Sequence, residues 1–348
     1  MPELKLYTIA ELSEWIMHNR AVDGLSEHLI APSRARAIIH NPYVTPEDPV
    51  LSAIFVDGEL AAFTTAFPEM IGEKRFWWFT ALWCDPRHQG KGFGLIVVGS
   101  LAEIYGEEYI LDRWGAQETA EIFSCLGAQT IYTPRYIFGS KINRQTAKGK
   151  LVHFVRSLQK CLHKLLEVPA KQEEYTLRYL SNIDDQTYAF IVAHRNQDLF
   201  LRTQQMLNWI LQYSFTQACP LIERTLPTTP FAPAKAMSNQ MYTVQIWDKE
   251  RLIGFYMMKH TESDLHVLYL YYDAESTNKV FASLRDHVKH LKVEQLITDN
   301  EELANYIQKH VYFPKHKVYQ VHFAHPISLS VSEEMTLQYG DGDGFTAE

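Results

Sequence analysis

The chain has 348 residues, 46% of them hydrophobic and 21% charged, an ordinary balance for a globular protein and enough for two cores. Its 33 basic and 41 acidic residues give a formal charge of −8 without a long basic run, so the electrostatic footprint of a nucleic-acid binder is absent. The N-terminus carries no basic stretch followed by an apolar one, and no window approaches the roughly 20 apolar residues of a membrane span, which leads us to expect a cytoplasmic protein without stable membrane insertion.

In chain order, the first elements expected are a strand over Leu4 to Tyr7 and an amphipathic helix over Ala10 to His18. Val50 to Val56 and Leu60 to Phe67 flank Asp57-Gly58, a dipeptide that favours a tight antiparallel turn. An aromatic strand, Phe76 to Trp83, ends at Asp85-Pro86, because proline cannot donate to a ladder. Leu95 to Tyr105 is apolar almost all round at its start and is expected as a helix buried on a sheet. A strand over Tyr109 to Asp112, a helix over Glu118 to Leu126 stopped by Gly127, and a strand over Thr130 to Phe138 follow. From Lys141 to about Leu166 the pattern becomes a basic amphipathic helix, suited to a connector, and 217–233 is Pro- and Thr-rich, suited to a surface loop.

The second half repeats this order. Ile246 to Phe255 matches Ile54 to Phe63 in pattern, a charged turn lying between two apolar strands. An aromatic strand over Leu265 to Tyr272 precedes a helix with Val280, Phe281, Leu284, Val288 and Leu291 on one face. A strand at Glu294 to Thr298, a helix at Glu301 to His310 and a strand at Lys317 to Phe323 complete it. The polar end from Ser332 onward suggests a disordered tail. The cysteines Cys84, Cys125, Cys161 and Cys219 form no C-x-x-C, and the histidines lack carboxylates at ligand spacing, so no metal site is expected.

The segment Cys84 to Gly94 carries the chemistry. It follows a strand and opens an apolar helix, whose first N–H groups lack intrahelical partners and suit a diphosphate. Glycines allow the backbone to close on phosphate oxygens. A Walker loop is excluded because no G-K-[ST] occurs here, and a dinucleotide fingerprint because Leu95 stands three residues after Gly92. The spacing that fits is Q-x-x-G-x-G, formed by Gln89, Gly92 and Gly94.

In this motif, with the preceding hairpin and the closing helix and strand, the chain over residues 4 to 138 resembles the GNAT superfamily of acyl-CoA N-acyltransferases. The resemblance implies an α/β fold of two GNAT-like domains, each a mixed, mostly antiparallel central sheet flanked by helices. It implies that the backbone of Gln89, Gly90, Lys91, Gly92, Phe93 and Gly94 holds the pyrophosphate of acetyl-CoA or another acyl-CoA, and that the strand end Leu82, Trp83 and Cys84 pairs with the pantetheine arm. An amine would attack the thioester directly, with Glu69, Asp112 and Glu118 as candidates for the base. Phe123 stands where family members often carry a tyrosine that protonates the departing thiolate, and phenylalanine cannot donate.

The expected organisation is an acyl-CoA-binding domain over 1–140, a connecting helix over 141–168, a degenerate second copy over 169–328 and a polar tail over 329–348. In the second copy Ala274 to Ala282 contains no glycine, with Val280 and Ala282 in place of the small residues, so that half is not expected to bind coenzyme A. The acceptor implied is a primary amine of a small molecule, amino sugar or peptide. The rival expectations are a catalytically weak binding protein and a Fem-like aminoacyl transferase.

Overall fold

The computed structural model describes residues 1–106, 109–113, 117–139, 151, 154, 174–213, 239–261, 263–332 and 334–342. The connector over 141–168 and the loop over 217–233 therefore fall almost wholly outside the described residues.

The first half runs β1 (Pro2–Thr8), α1 (Ile9–Ile16), α2 (Pro32–Ile39), β2 (Pro49–Val56), β3 (Glu59–Ile71), β4 (Lys74–Cys84), α3 (Phe93–Tyr105), β5 (Ile110–Arg113), α4 (Gln117–Cys125) and β6 (Gln129–Gly139). Thr8 and Glu11 form a capping box that starts α1, and proline at its first position opens α2, which the sequence reading did not anticipate. Asp57 and Gly58 turn the β2–β3 hairpin with φ of 52° and 82°, the left-handed pair that a two-residue turn of this kind requires.

The second half repeats the order as β7 (Thr176–Tyr179), α5 (Asp185–His194), α6 (Gln204–Gln212), β8 (Asn239–Asp248), β9 (Arg251–Thr261), β10 (Asp264–Tyr272), α7 (Thr277–Leu291), β11 (Gln295–Thr298), α8 (Glu301–His310) and β12 (His316–His325). The repeat extends to irregularities. The first hairpin shifts register between Ile54 and Phe55 and the second between Ile246 and Trp247, the positions that align between the two halves. The turn residues Asp57 and Lys249 both adopt positive φ.

The two halves are joined in one sheet ordered β1-β2-β3-β4-β5-β12-β6-β11-β10-β9-β8-β7. Each half gives its last strand to the other: β12 pairs with β5, β6 pairs with β11, and β6 and β12 pair with each other along ten residues. Gly139 ends β6 at φ 85°, where a Cβ would overlap the Glu294 carbonyl. Two self-contained sheets were expected; exchange of the last strands makes each half incomplete without the other.

One apolar core lies across both halves and includes Phe67 and Trp78 from the first, Trp209 from α6 and Phe255 and Tyr269 from the second. A second core beneath α1 and α3 contains Leu12, Trp77, Phe79 and Leu101, and a third beneath α7 and α8 contains Phe281, Leu284 and Leu303. At the join, Asp299 accepts from Arg113 at 2.8 Å and from Arg135 at 2.7 Å, with all three side chains buried.

The expected disordered tail is corrected over 334–342. Leu337 and Tyr339 enter the shared core, Gly340 N–H donates to Leu268 O at 2.9 Å, and Arg113 donates to Gln338 O at 2.6 Å. Asp341 lies 3.3 Å from the buried Arg202. A few apolar anchors and buried ion pairs outweigh the polar composition that suggested disorder. Residues 343–348 lie outside the described set.

Candidate active site

At the vertex between β4 and β5 the two strands run parallel with Trp77, Trp78 and Phe79 opposite Ile110, Leu111 and Asp112. Beyond Phe79, β4 continues to Cys84 against β3 alone, and among the described residues no strand pairs with its other edge. The β3–β4 ladder shifts register between Phe63 and Thr65, and opposite that shift Ala81 adopts φ 62°. A β-bulge of this kind bends a strand, and a left-handed alanine holds strain. Leu82, Trp83 and Cys84 follow on this open edge, half-buried. Burial raises the Cys84 thiol pKa above its ordinary value.

After β4 the Asp85 carboxylate accepts from Arg87 N at 2.7 Å and from the Arg87 guanidinium at 2.8 Å, and these bonds hold its carboxyl down at about 2. The chain then turns through Gly90 and Gly92 at φ 78° and 79° and enters α3. Of the N–H groups from Gln89 to Leu95, that of Lys91 alone finds an acceptor among the described residues, His88 O at 3.3 Å. Gln89, Gly90, Lys91 and Gly92 face solvent, and a Cβ on Gly90 or Gly92 would meet nothing within 4 Å. The turn is therefore an open cradle of unpaired donors at the positive end of a helix, which is the donor set a diphosphate requires. Phe93 and Gly94 complete it, Gly94 lying where a Cβ would touch Ile122 at 3.4 Å. Helix α3 was expected to be buried against the sheet; Val97, Val98 and Leu101 pack there, while Leu95 and Ile96 at its start are 41% and 45% exposed.

The carboxylate candidates separate. Glu69 near the end of β3 is enclosed on the face shared by the two halves, 2.9 Å from Arg202, an ion pair by distance whose atoms fall outside hydrogen-bond geometry. Burial pushes its carboxyl up to about 7, against the pull of Arg202. Asp112 sits at the vertex and is buried, accepting from His322 Nε2 at 2.8 Å; burial raises its pKa and the histidine opposes that rise. The side chain of Glu118 lies outside the described residues. Phe123 is 1% exposed and packs edge-on against Phe79 at 5.4 Å between centroids, so it closes the vertex. His322 was missed from the sequence, because nothing local places β12 beside β5.

In the second half β10 also parts from β11 after three paired residues, ending with His266 opposite Ile297. There the chain's own 334–342 segment docks through Gly340 on Leu268, and Tyr339 bonds His266 at 2.6 Å. The turn before α7 has no glycine, and Val280, which lies on the helix as expected, packs onto Gly254.

No protein-family model matches the sequence, and no curated protein does. Solved structures do. A proposed acetyltransferase from Pyrococcus horikoshii aligns over 99% of this chain and 96% of its own, at 10% identity and TM-score 0.52. Saccharomyces cerevisiae N-myristoyltransferase, solved with bound myristoyl-CoA, aligns over 96% and 86%, at 10% identity and TM-score 0.51. A tandem GNAT protein from the clavulanic acid biosynthesis pathway aligns over 93% and 98%, at 12% identity and TM-score 0.49. The chain shares the fold of the Pyrococcus and Saccharomyces structures. The chain is mixed α/β, with a mostly antiparallel sheet flanked by helices. Among the described residues no helix is long and apolar enough to cross a membrane.

Proposed function

We propose that the first half binds an acyl-CoA and transfers its acyl group to a primary amine. The observation that carries this reading is the cradle of N–H groups from Gln89 to Gly94, all but that of Lys91 without an acceptor among the described residues, set beside the open edge of β4. The cradle suits the pyrophosphate; Leu82, Trp83 and Cys84 on the open edge suit the amide groups of the pantetheine arm, which pairs as a strand would. That places the thioester near the β4–β5 vertex, where a main-chain N–H of the bulged strand supplies a donor for the carbonyl oxygen. Holding donor and amine together supplies much of the rate. Acetyl-CoA is the simplest donor to fit, and an amino sugar, amino acid or peptide amine the class of acceptor.

In the second half the corresponding opening is met by the chain's own 334–342 segment and the corresponding turn lacks glycine, which supports a single acyl-CoA site per chain. Calorimetry with acetyl-CoA, followed by assay of free thiol release over a panel of amines, tests the reading. One binding event per chain and amine-dependent release are expected. Binding without release above background for every amine favours the second reading, an acyl-CoA-binding protein, for which the buried Phe123 in place of a proton donor is the favouring observation.

A further inference from the structure

Phe123 of α4 cannot donate a proton to the vertex, yet the vertex holds an imidazole that the first half does not itself encode. His322 belongs to β12, the strand exchanged from the second half, and lies beside Asp112 through the pairing of Ala324 with Asp112. Its Nε2 donates to Asp112 at 2.8 Å. The other nitrogen, Nδ1, has no hydrogen-bond partner among the described residues and is not fully enclosed. Ala324 belongs to the core beneath α3 with Phe79 and Phe123, and His322, two residues away on the same strand, shares that face. A histidine oriented by a carboxylate at one nitrogen with the other free is the arrangement that moves protons in acyl transfer.

We propose that His322 is the proton carrier of the first half's transferase site, held by Asp112 as a positioning residue, so that the second half completes the site through strand exchange. This rests on the acyl transfer proposed above. With Nε2–H bonded to Asp112, neutral Nδ1 accepts the proton that the amine nitrogen loses as its lone pair forms the bond to the thioester carbon. When the C–S bond breaks, the electron pair leaves on sulfur and the same proton passes from Nδ1 to the thiolate. The products are an amide and a free thiol, and the imidazole returns to its starting state.

The test compares wild-type protein with His322→Gln and Asp112→Asn, using acetyl-CoA and the best amine of the panel. In His322→Gln, kcat is expected to fall at least 100-fold, within the range general acid–base groups contribute, while the acetyl-CoA Kd and the thermal midpoint stay close to wild type. Asp112→Asn is expected to lower kcat with little change in KM. A kcat within threefold of wild type in folded His322→Gln overturns the assignment. Independently of turnover, imidazole nitrogen NMR of the unliganded protein should show His322 as the Nε2–H tautomer, with that bias lost in Asp112→Asn; an Nδ1–H tautomer in wild type overturns the assignment even if His322→Gln fails to fold. Wild-type protein that binds acetyl-CoA and acylates no amine removes the transferase reading and this inference together, whereas active wild type with an equally active His322→Gln removes this inference alone.

Discussion

Glu69 shows how far a residue's role depends on its neighbours. As a carboxylate at the end of an aromatic-flanked strand it was a reasonable candidate base, but only the fold sets it against Arg202 of the second half and near Asp341 of the tail. Burial raises both Glu69 and Asp198 to about 7. A carboxyl whose folded pKa lies above its unfolded value contributes stability that is fully present below the unfolded value, near 4, and lost as pH rises through 7. The protein is therefore expected to melt at higher temperature near pH 5 than near pH 8, by roughly 1–3 kcal/mol of stability from Glu69. Glu69→Gln should flatten this slope in thermal melts across that window; an unchanged slope contradicts the burial argument. Asp85, held at about 2 by Arg87, loses its contribution only in much stronger acid and does not oppose the trend there. For Glu69, residue type alone indicated none of this, because its partners come from distant parts of the chain.

The elements were the most legible level. Period-two and helical patterns placed most strands and helices of both halves within a few residues, and Asp57-Gly58 gave the hairpin, because these signals act over a turn or two of chain. The turn was legible for the same reason: Gly90 and Gly92 stand at positive φ and its N–H groups are set by the helix start, both local facts. Gly92→Val places a branched side chain into the open space and forces a left-handed valine, at about 1–2 kcal/mol of strain. It should reduce acetyl-CoA affinity at least 100-fold by calorimetry. Gly58→Val is the control, since Gly58 has φ 82° and also has open space around it; it should carry comparable strain and leave the affinity unchanged. Equal loss in both variants would attribute the effect to strain rather than to the cradle. The short β7 and the helices α2, α5 and α6 were less legible, and in α2 the apolar residues are divided between two cores, Ala37 in one and Ala35 and Ile38 in the other.

At the scale of the whole molecule, local signals were insufficient. Nothing in the sequence of β6 or β12 states which half it will join, because both are ordinary strands and the choice is made by pairing across nearly 200 residues of chain. The join is held by Asp299 between Arg113 and Arg135, all buried. Asp299→Ala leaves two buried guanidinium groups without their shared carboxylate and should destabilise the fold by about 3–5 kcal/mol; a loss below about 1 kcal/mol in denaturant unfolding would show that the join does not depend on it. Exchange also makes the halves interdependent: residues 1–140 expressed alone leave β5 without β12 and β6 without β11, and should not show the cooperative melt of the full chain. A crystal structure with acetyl-CoA tests the central claim most directly: the pyrophosphate should lie on the main-chain nitrogens between Gln89 and Gly94, with the pantetheine along Leu82 to Cys84. Density for the cofactor elsewhere, with that turn left unliganded, would contradict it.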